Sequence, residues 1–156
     1  MGIKLFLDSV SLISGVLASN DGHPMRRIVA LGAMNVLDLR ICYEVQGDVE
    51  RFCNNRDPGL RKILASLIVA GNIATVPDPN KETVDKCTKL TGYAPDARIL
   101  AAALECAADI LVTHDKQHLL GNAKIKPPEA YILVMNPQDA LAWCADEWMT
   151  SMRDQK

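Results

Sequence analysis

The sequence predicts an α/β fold, namely a three-layer α/β/α sandwich around a central, mainly parallel sheet of about four to five strands. The first observation is that short apolar segments alternate with longer segments of helical periodicity. The second is that the two clearest short segments, 5–7 and 110–112, are apolar at consecutive positions. Consecutive apolar residues are typical of strands covered on both faces, as they are in a parallel sheet.

Several short segments have the length and composition of strands. In chain order these segments are 3–7, 36–41, 73–76, 110–113 and 131–134. Helices are expected in the gaps between them. This alternation of strand and helix predicts a sheet that is covered by helices.

Two helices can be assigned from local signals. Residues 96–108 carry apolar side chains at helical spacing and few charges, so this helix is expected to be largely buried. The last helix, at about 137–152, is indicated by Asn136 as its N-cap and by Pro137 at its first position. We expect this last helix to cover the sheet.

Length and composition favour one ordinary globular domain. We expect a single domain over residues 1–156, with a core at about 3–135. No apolar run approaches the roughly 18 residues of a membrane span, and the first apolar stretch is too short for a signal peptide, so we expect a cytoplasmic location. The five cysteines lack paired spacing and are expected to be buried free thiols.

Charge and missing motifs exclude several classes of protein. The net charge of −2 gives no general positive field, so a nucleic acid would have to be bound locally. The chain lacks the glycine-rich motifs of dinucleotide and nucleoside triphosphate sites, and it lacks the G-x-S-x-G motif of serine hydrolases. Val10 also stands where a dehalogenase-like phosphatase would carry a second aspartate.

Four carboxylates lie at or near the ends of predicted strands. Asp8 ends the first strand, Glu44 shortly follows the second, Asp96 opens the buried helix, and Asp115 follows the fourth strand. Ligands of open α/β sheets bind beyond the carboxyl ends of the strands. Converging carboxylates repel one another unless a cation neutralises them, and oxygen ligands favour Mg²⁺ or Mn²⁺. The pattern therefore predicts a divalent metal site that could activate water for phosphodiester hydrolysis.

Each carboxylate also has a purely structural interpretation. Asp8, Asp96 and Asp115 could cap helices, because aspartate is a common N-cap and is favoured by the helix dipole. Glu44 could be a solvated residue on a helix surface. Both interpretations remain open from the residues alone.

Other polar residues could support the acidic cluster. The hydroxyl groups of Ser9 and Thr113 adjoin Asp8 and Asp115 in sequence, where they could orient a carboxylate or contact a phosphate. Arg98 and Lys116 are the nearest cations in sequence and could contact an RNA backbone. Each of these side chains could instead form local bonds or simply be solvated.

The three histidines are expected at the surface. An oxygen-rich metal site needs no imidazole, and His114 should point away from its neighbour Asp115 at a strand end. We therefore assign no catalytic role to His23, His114 or His118.

Four segments resemble motifs of the PIN-domain ribonucleases. LFLDSVSLISGV at 5–16 is similar to the opening strand and helix of that family, and ICYEV at 41–45 is similar to its second motif. PDARILAAAL at 95–104 and LVTHD at 111–115 resemble the third and fourth motifs. The resemblance spans residues 3–135, and it implies that Asp8, Glu44, Asp96 and Asp115 are the family's catalytic, metal-binding acids.

This resemblance carries expectations about function. It implies a PIN-like fold, bound Mg²⁺ or Mn²⁺, and cleavage of single-stranded or structured RNA. The chain also resembles the bacterial toxin branch of the family. This resemblance implies that the protein is the toxin of a toxin–antitoxin pair, with an antitoxin as its partner, and that it forms a homodimer.

The sequence departs from the family at one position. The usual Asp-Thr-Asn opening is here Asp8-Ser9-Val10, so the hydroxyl is kept and the amide is lost. This leaves an alternative function open: a catalytically weak or inactive PIN-like module that binds RNA or a protein partner.

Overall fold

The computed structural model describes residues 2–156 and contains a five-stranded, all-parallel sheet. The elements in chain order are β1 (Ile3–Leu7), α1 (Ser9–Leu17), α2 (Pro24–Ala33), β2 (Leu37–Cys42), α3 (Tyr43–Arg56), α4 (Leu60–Ala70), β3 (Ala74–Val76), α5 (Lys81–Thr91), α6 (Ala94–Glu105), β4 (Ile110–Val112), β5 (Leu133–Met135) and α7 (Pro137–Asp154). This architecture confirms the predicted α/β/α class.

The strand order is β3-β2-β1-β4-β5, and this order distributes the helices over the sheet. Helices α1 to α4 pack on one another and α7 packs on α2, whereas α5 packs on α6. The chain moves outward from β1 to β3 and then returns past β1 to β4. Because crossover connections are right-handed, this reversal places α5 and α6 on the opposite face from α1 to α4.

Burial of the central strands explains why their sequences predicted them well. Leu5, Phe6 and Leu7 of β1 and all of β4 are completely buried. β2 is shifted by one residue from the predicted 36–41, because the chain continues in the strand to the buried Cys42. β5 starts at Leu133, later than predicted, because pairing with β4 begins there and Tyr131 is exposed.

The start of α6 differs from the prediction in a way that concerns the site. The helix begins at Ala94, with Pro95 in its first turn, so Asp96 is its third residue and not its first. α7 is capped by Asn136 as predicted, through a hydrogen bond from the Asp139 N–H.

The cysteines are free thiols, as predicted, and all except the half-buried Cys106 are buried. Burial raises the pKa of Cys42, Cys87 and Cys144 to about 11, so these thiols stay protonated and unreactive. In residues 2–156 we find no helix with the length and apolarity that a membrane crossing requires.

Candidate metal centre

The strand order creates a crevice at the carboxyl ends of β1 and β4. The chain leaves β1 toward β2 on one side, whereas β4 on the other side is reached from β3. Open α/β sheets bind ligands where the strand order reverses in this way. Asp8 follows β1 directly and Thr113 follows β4 directly, so both residues lie at this crevice.

Asp8 is held by hydrogen bonds on both of its carboxylate oxygens. Its Oδ1 accepts from the Ser11 N–H at 2.8 Å and caps α1, as its structural interpretation anticipated. Its Oδ2 accepts a hydrogen bond from the Thr113 hydroxyl. The side chain is almost entirely buried. Asp8 is therefore fixed in place, with little freedom to reorient.

Thr113 connects Asp8 to the loop that carries Asp115. Its hydroxyl oxygen accepts a hydrogen bond from the Asp115 N–H at 3.0 Å while its proton is donated to Asp8. The hydroxyl therefore contacts a carboxylate, which is the supporting role that the sequence indicated for it.

Asp115 forms the turn that follows β4. Its Oδ1 accepts hydrogen bonds from the backbone N–H groups of Gln117 at 2.8 Å and His118 at 3.1 Å. Its Oδ2 is left on the side of the turn that faces His118, at 3.6 Å from Nδ1. Asp115 therefore caps a turn with one oxygen and presents the other to its neighbours.

Asp96, Asp115 and His118 form the group of potential metal ligands. One ligand atom from each lies within 4.8 Å of the other two. The His118 Nδ1 is 2.8 Å from Asp96 Oδ2. The surface prediction is therefore wrong for His118, which is half-buried and contacts both acids.

The Asp96 Oδ2 atom has an unsatisfied hydrogen-bonding capacity. It is the single buried side-chain nitrogen or oxygen in residues 2–156 without a hydrogen-bond partner. Its contact with His118 Nδ1, at 2.8 Å, becomes an ion pair only when the imidazole is protonated. A buried polar atom without a partner is unfavourable, and a bound cation is one way to satisfy it. Two carboxylates and an imidazole form a donor set that fits Mn²⁺. The same set fits Mg²⁺ less well, because Mg²⁺ prefers oxygen ligands.

The two carboxyl groups share their protons unequally. Burial and the adjacent Asp115 carboxylate raise the pKa of Asp96 to about 7, although His118 opposes this rise. Burial acts on the Asp115 pKa in the same direction, but the hydrogen bond from Asp96 and those from the backbone of His118 and Gln117 outweigh it and lower that pKa. Below about pH 7 the pair therefore holds a single negative charge, and a bound cation would favour the second ionisation.

Glu44 is not a member of the group formed by Asp96, Asp115 and His118. It is in the first turn of α3, and both of its carboxylate oxygens accept from the Arg98 Nε, at 2.9 and 3.1 Å. Its own N–H is bound by Asp78 Oδ1 at 2.9 Å. Glu44 is therefore neither a freely solvated residue nor a member of the three-residue group. Arg98, from the same helix as Asp96, neutralises it.

The remaining predicted residues have different surroundings. The Ser9 hydroxyl donates to Asp48 Oδ2 at 3.2 Å, so it contacts an acid other than Asp8. Lys116 is exposed on the turn after Asp115. Two further acids form structural contacts, since Asp109 accepts from the Lys4 N–H and Glu105 accepts from the Asn80 N–H.

Tyr93 supports His118, the residue of the group to which no role was assigned from the sequence. Its ring stacks on the His118 imidazole, with centroids 4.7 Å apart and planes inclined by 18°. The stacking restricts the orientation of the imidazole beside Asp96. The spacing Asp115-x-x-His118 directly after a strand was the available sequence signal, because an aspartate-capped turn brings residues three apart to the same side.

Comparisons with known proteins add information on the fold. No protein-family model and no curated protein matches the sequence. The crystal structure of PAE2754 from Pyrobaculum aerophilum is similar, with a TM-score of 0.63 and 13% sequence identity over 94% of this chain and 98% of that chain. At this level of identity the likeness shows a shared fold.

Proposed function

We propose that the protein is a metal-dependent endoribonuclease that hydrolyses RNA phosphodiester bonds. The observation that supports this proposal best is the Asp96 Oδ2 atom, which is buried without a partner beside Asp115 and His118. This group lies next to the reversal point of a parallel sheet, where such folds bind their ligands. The resemblance of four sequence segments to PIN-domain ribonucleases supplies the reaction.

Asp96, Asp115 and His118 would hold Mg²⁺ or Mn²⁺. When bound, such an ion supplies a Lewis acid that lowers the pKa of water and offsets the charge of a phosphodiester. Asp96 would be deprotonated in the metal-bound state, since only the carboxylate is a ligand. Thr113 keeps Asp8 and the Asp115 turn in a fixed relation. Arg98 orients Glu44 at the neighbouring strand end.

Asp8 and Glu44 would act beside this group and not within it. Asp8 is bound by Ser11 and Thr113, and Glu44 is bound by Arg98. Both residues follow strands that pair directly with each other, so they extend the acidic edge from β4 to β2. In the proposed reaction they would position water or a second cation. Ser9 and Lys116 would contribute at the margin of the site.

The proposed substrate implies a biological setting. RNA cleavage implies a cytoplasmic location, and the resemblance to the toxin branch implies an antitoxin that blocks the site and a homodimer. Expression with and without Asp8→Asn tests the toxin role, because equal growth of both cultures contradicts it.

RNA cleavage by purified protein tests the enzymatic proposal. We expect wild type to cleave a labelled, mixed-sequence single-stranded RNA in Mn²⁺ and to be inactive in EDTA. Asn is isosteric with the protonated carboxyl that Asp96 carries below about pH 7, so Asp96→Asn should fold and should lose at least about a hundredfold in rate. Asp85→Asn, an exposed acid on α5, is the matched control and should retain the wild-type rate. Metal-independent cleavage, or cleavage that survives in Asp96→Asn, contradicts the proposal.

One observation favours a second candidate, a PIN-like module that binds RNA or a protein without cleaving. Val10 follows Asp8 and Ser9 in the first turn of α1, and its apolar side chain is 57% exposed. An amide at this position could bind a ligand at the crevice, whereas valine cannot. If Val10→Asn cleaves RNA and wild type does not, the natural protein is a binding module.

A further inference from the structure

A cleft of about 290 Å³ lies next to the turn that carries Asp115. Its lining includes His23, His114, Lys116, Leu120, Pro137 and Gln138. His114 and Lys116 flank Asp115 in sequence, so the cleft and the candidate metal centre share the turn after β4. The beginnings of α2 and α7 supply the rest of the lining.

The cleft differs from the metal centre in its ionisable groups. Its titratable lining residues are His23, His114 and Lys116, and in the part of the chain that the structure describes no carboxylate lines it. This is notable in a chain where nineteen acidic residues outnumber seventeen lysines and arginines. The cleft therefore offers an anion the ammonium group of Lys116 and no carboxylate that would repel it.

The lining side chains offer hydrogen-bond donors. The His23 Nδ1 accepts from the Met25 N–H at 3.1 Å, so in the neutral ring the proton is on Nε2, on the other side of the ring. Lys116 contributes an ammonium group and Gln138 an amide. The N-termini of α2 and α7 also lie in the lining, and each carries a partial positive charge.

We propose that this cleft binds a backbone phosphate of the RNA strand, adjacent to the phosphate that is cleaved. The identification of the strand as RNA rests on the proposed function, whereas the anion preference rests on the lining residues. A phosphate needs cations and N–H donors and no acceptors, which is the chemistry that Lys116, His23 and Gln138 provide. A strand bound here would enter the metal centre past Lys116.

Binding in EDTA separates this proposal from catalysis. The probe is a labelled, mixed-sequence single-stranded RNA, and fluorescence anisotropy gives its Kd over a series of KCl concentrations. The variants are Lys116→Ala and His23→Asn, since asparagine keeps an N-cap for α2. Lys62→Ala, an exposed lysine on α4, is the matched control.

We expect Lys116→Ala to weaken binding several-fold and to reduce the slope of log K against log[KCl] by about 0.7, the value for one lost contact to a single strand. His23→Asn should weaken binding with a smaller change in slope, and Lys62→Ala should change neither quantity. Wild-type binding and slope in Lys116→Ala would overturn the proposal, as would absence of RNA binding by wild type at low salt.

The proposed function and this proposal fail in different ways. If wild type neither binds metal nor cleaves RNA, but RNA binding depends on Lys116, then the nuclease proposal is wrong and the phosphate cleft is retained. If Asp96→Asn abolishes cleavage while Lys116→Ala and His23→Asn bind and cleave as wild type does, the nuclease proposal is retained and the cleft is rejected.

Discussion

The Thr113 hydroxyl donates a hydrogen bond to the buried Asp8 carboxylate and so joins the ends of β1 and β4. The same oxygen accepts from the Asp115 N–H. One small side chain thereby links an acid on one strand to the turn that carries another acid. This link keeps the acidic edge of the sheet in a fixed geometry, independently of any bound ion.

Thr113→Val should destabilise the protein and weaken metal binding. The substitution keeps the shape of the side chain but leaves an Asp8 oxygen and the Asp115 N–H without their partner. Such a loss costs about 1–3 kcal/mol, and each kcal/mol lowers the Tm of a domain of this size by about 2–4 °C. Thr113→Ser keeps the hydroxyl and should restore most of the stability. Thermal unfolding checks this, and an unchanged Tm in Thr113→Val would contradict it.

The metal-free protein should lose stability as the pH rises from about 4 to about 7. The pKa of Asp96 is about 7 in the folded protein against an ordinary value of 3.8. The folded state therefore binds more protons than the unfolded state in this interval, so the free energy of unfolding falls with rising pH. Asp115, whose pKa is lowered, contributes stability that is lost only at more acidic pH.

Urea unfolding in EDTA at about pH 5 and about pH 8 measures this dependence. Wild type should have the higher midpoint at the lower pH. Asp96→Asn should reduce the difference, whereas the exposed control Asp85→Asn should keep it. A wild-type midpoint that rises between the two pH values would show that Asp96 is not the controlling group.

Glu44→Gln should affect metal affinity much less than Asp96→Asn. Glu44 is neutralised by Arg98, and Asp96 is in the group of potential ligands. We expect at least a tenfold weaker Mn²⁺ affinity for Asp96→Asn and a change of less than about threefold for Glu44→Gln, because a lost ligand costs more than a nearby charge. Isothermal titration calorimetry compares them, and equal losses would place Glu44 among the ligands.

Tyr93 should act through His118. Tyr93→Ala removes the ring that stacks on the imidazole, and Tyr93→Phe keeps it. A less restricted imidazole is a weaker ligand, so we expect Mn²⁺ affinity to fall by several-fold in Tyr93→Ala and to stay near wild type in Tyr93→Phe. In His118→Ala the further change Tyr93→Ala should have no effect on affinity. Additive losses in the double variant would exclude this role.

The fold was predictable because its central strands are buried on both faces. Continuous apolar runs at β1 and β4 indicate such strands directly, and Asn136-Pro137 indicates the start of α7. Strand bounds were predicted less well, since the start of β5 is set by pairing with β4 and not by its own residues. The start of α6 could have been taken from Pro95, which lies in the first turn.

The site was only partly predictable for a different physical reason. Strand-end positions and family resemblance brought Asp96 and Asp115 forward, and the structure places them together. His118 joins them through a turn that Asp115 itself caps, and this local geometry has no periodic signal. The pairing of Glu44 with Arg98 joins residues from two helices, so it depends on the packing of the whole sheet.

Thermal unfolding in Mn²⁺ and in EDTA tests most directly whether Asp96, Asp115 and His118 bind a metal ion. An ion at about a hundred times its Kd adds about 2.7 kcal/mol of stability, which corresponds to a rise in Tm of about 5–11 °C for a domain of this size. We expect this rise in wild type and in Asp85→Asn, and its loss in Asp96→Asn. The same Tm in Mn²⁺ and EDTA for wild type, or an equal rise in Asp96→Asn, would contradict it.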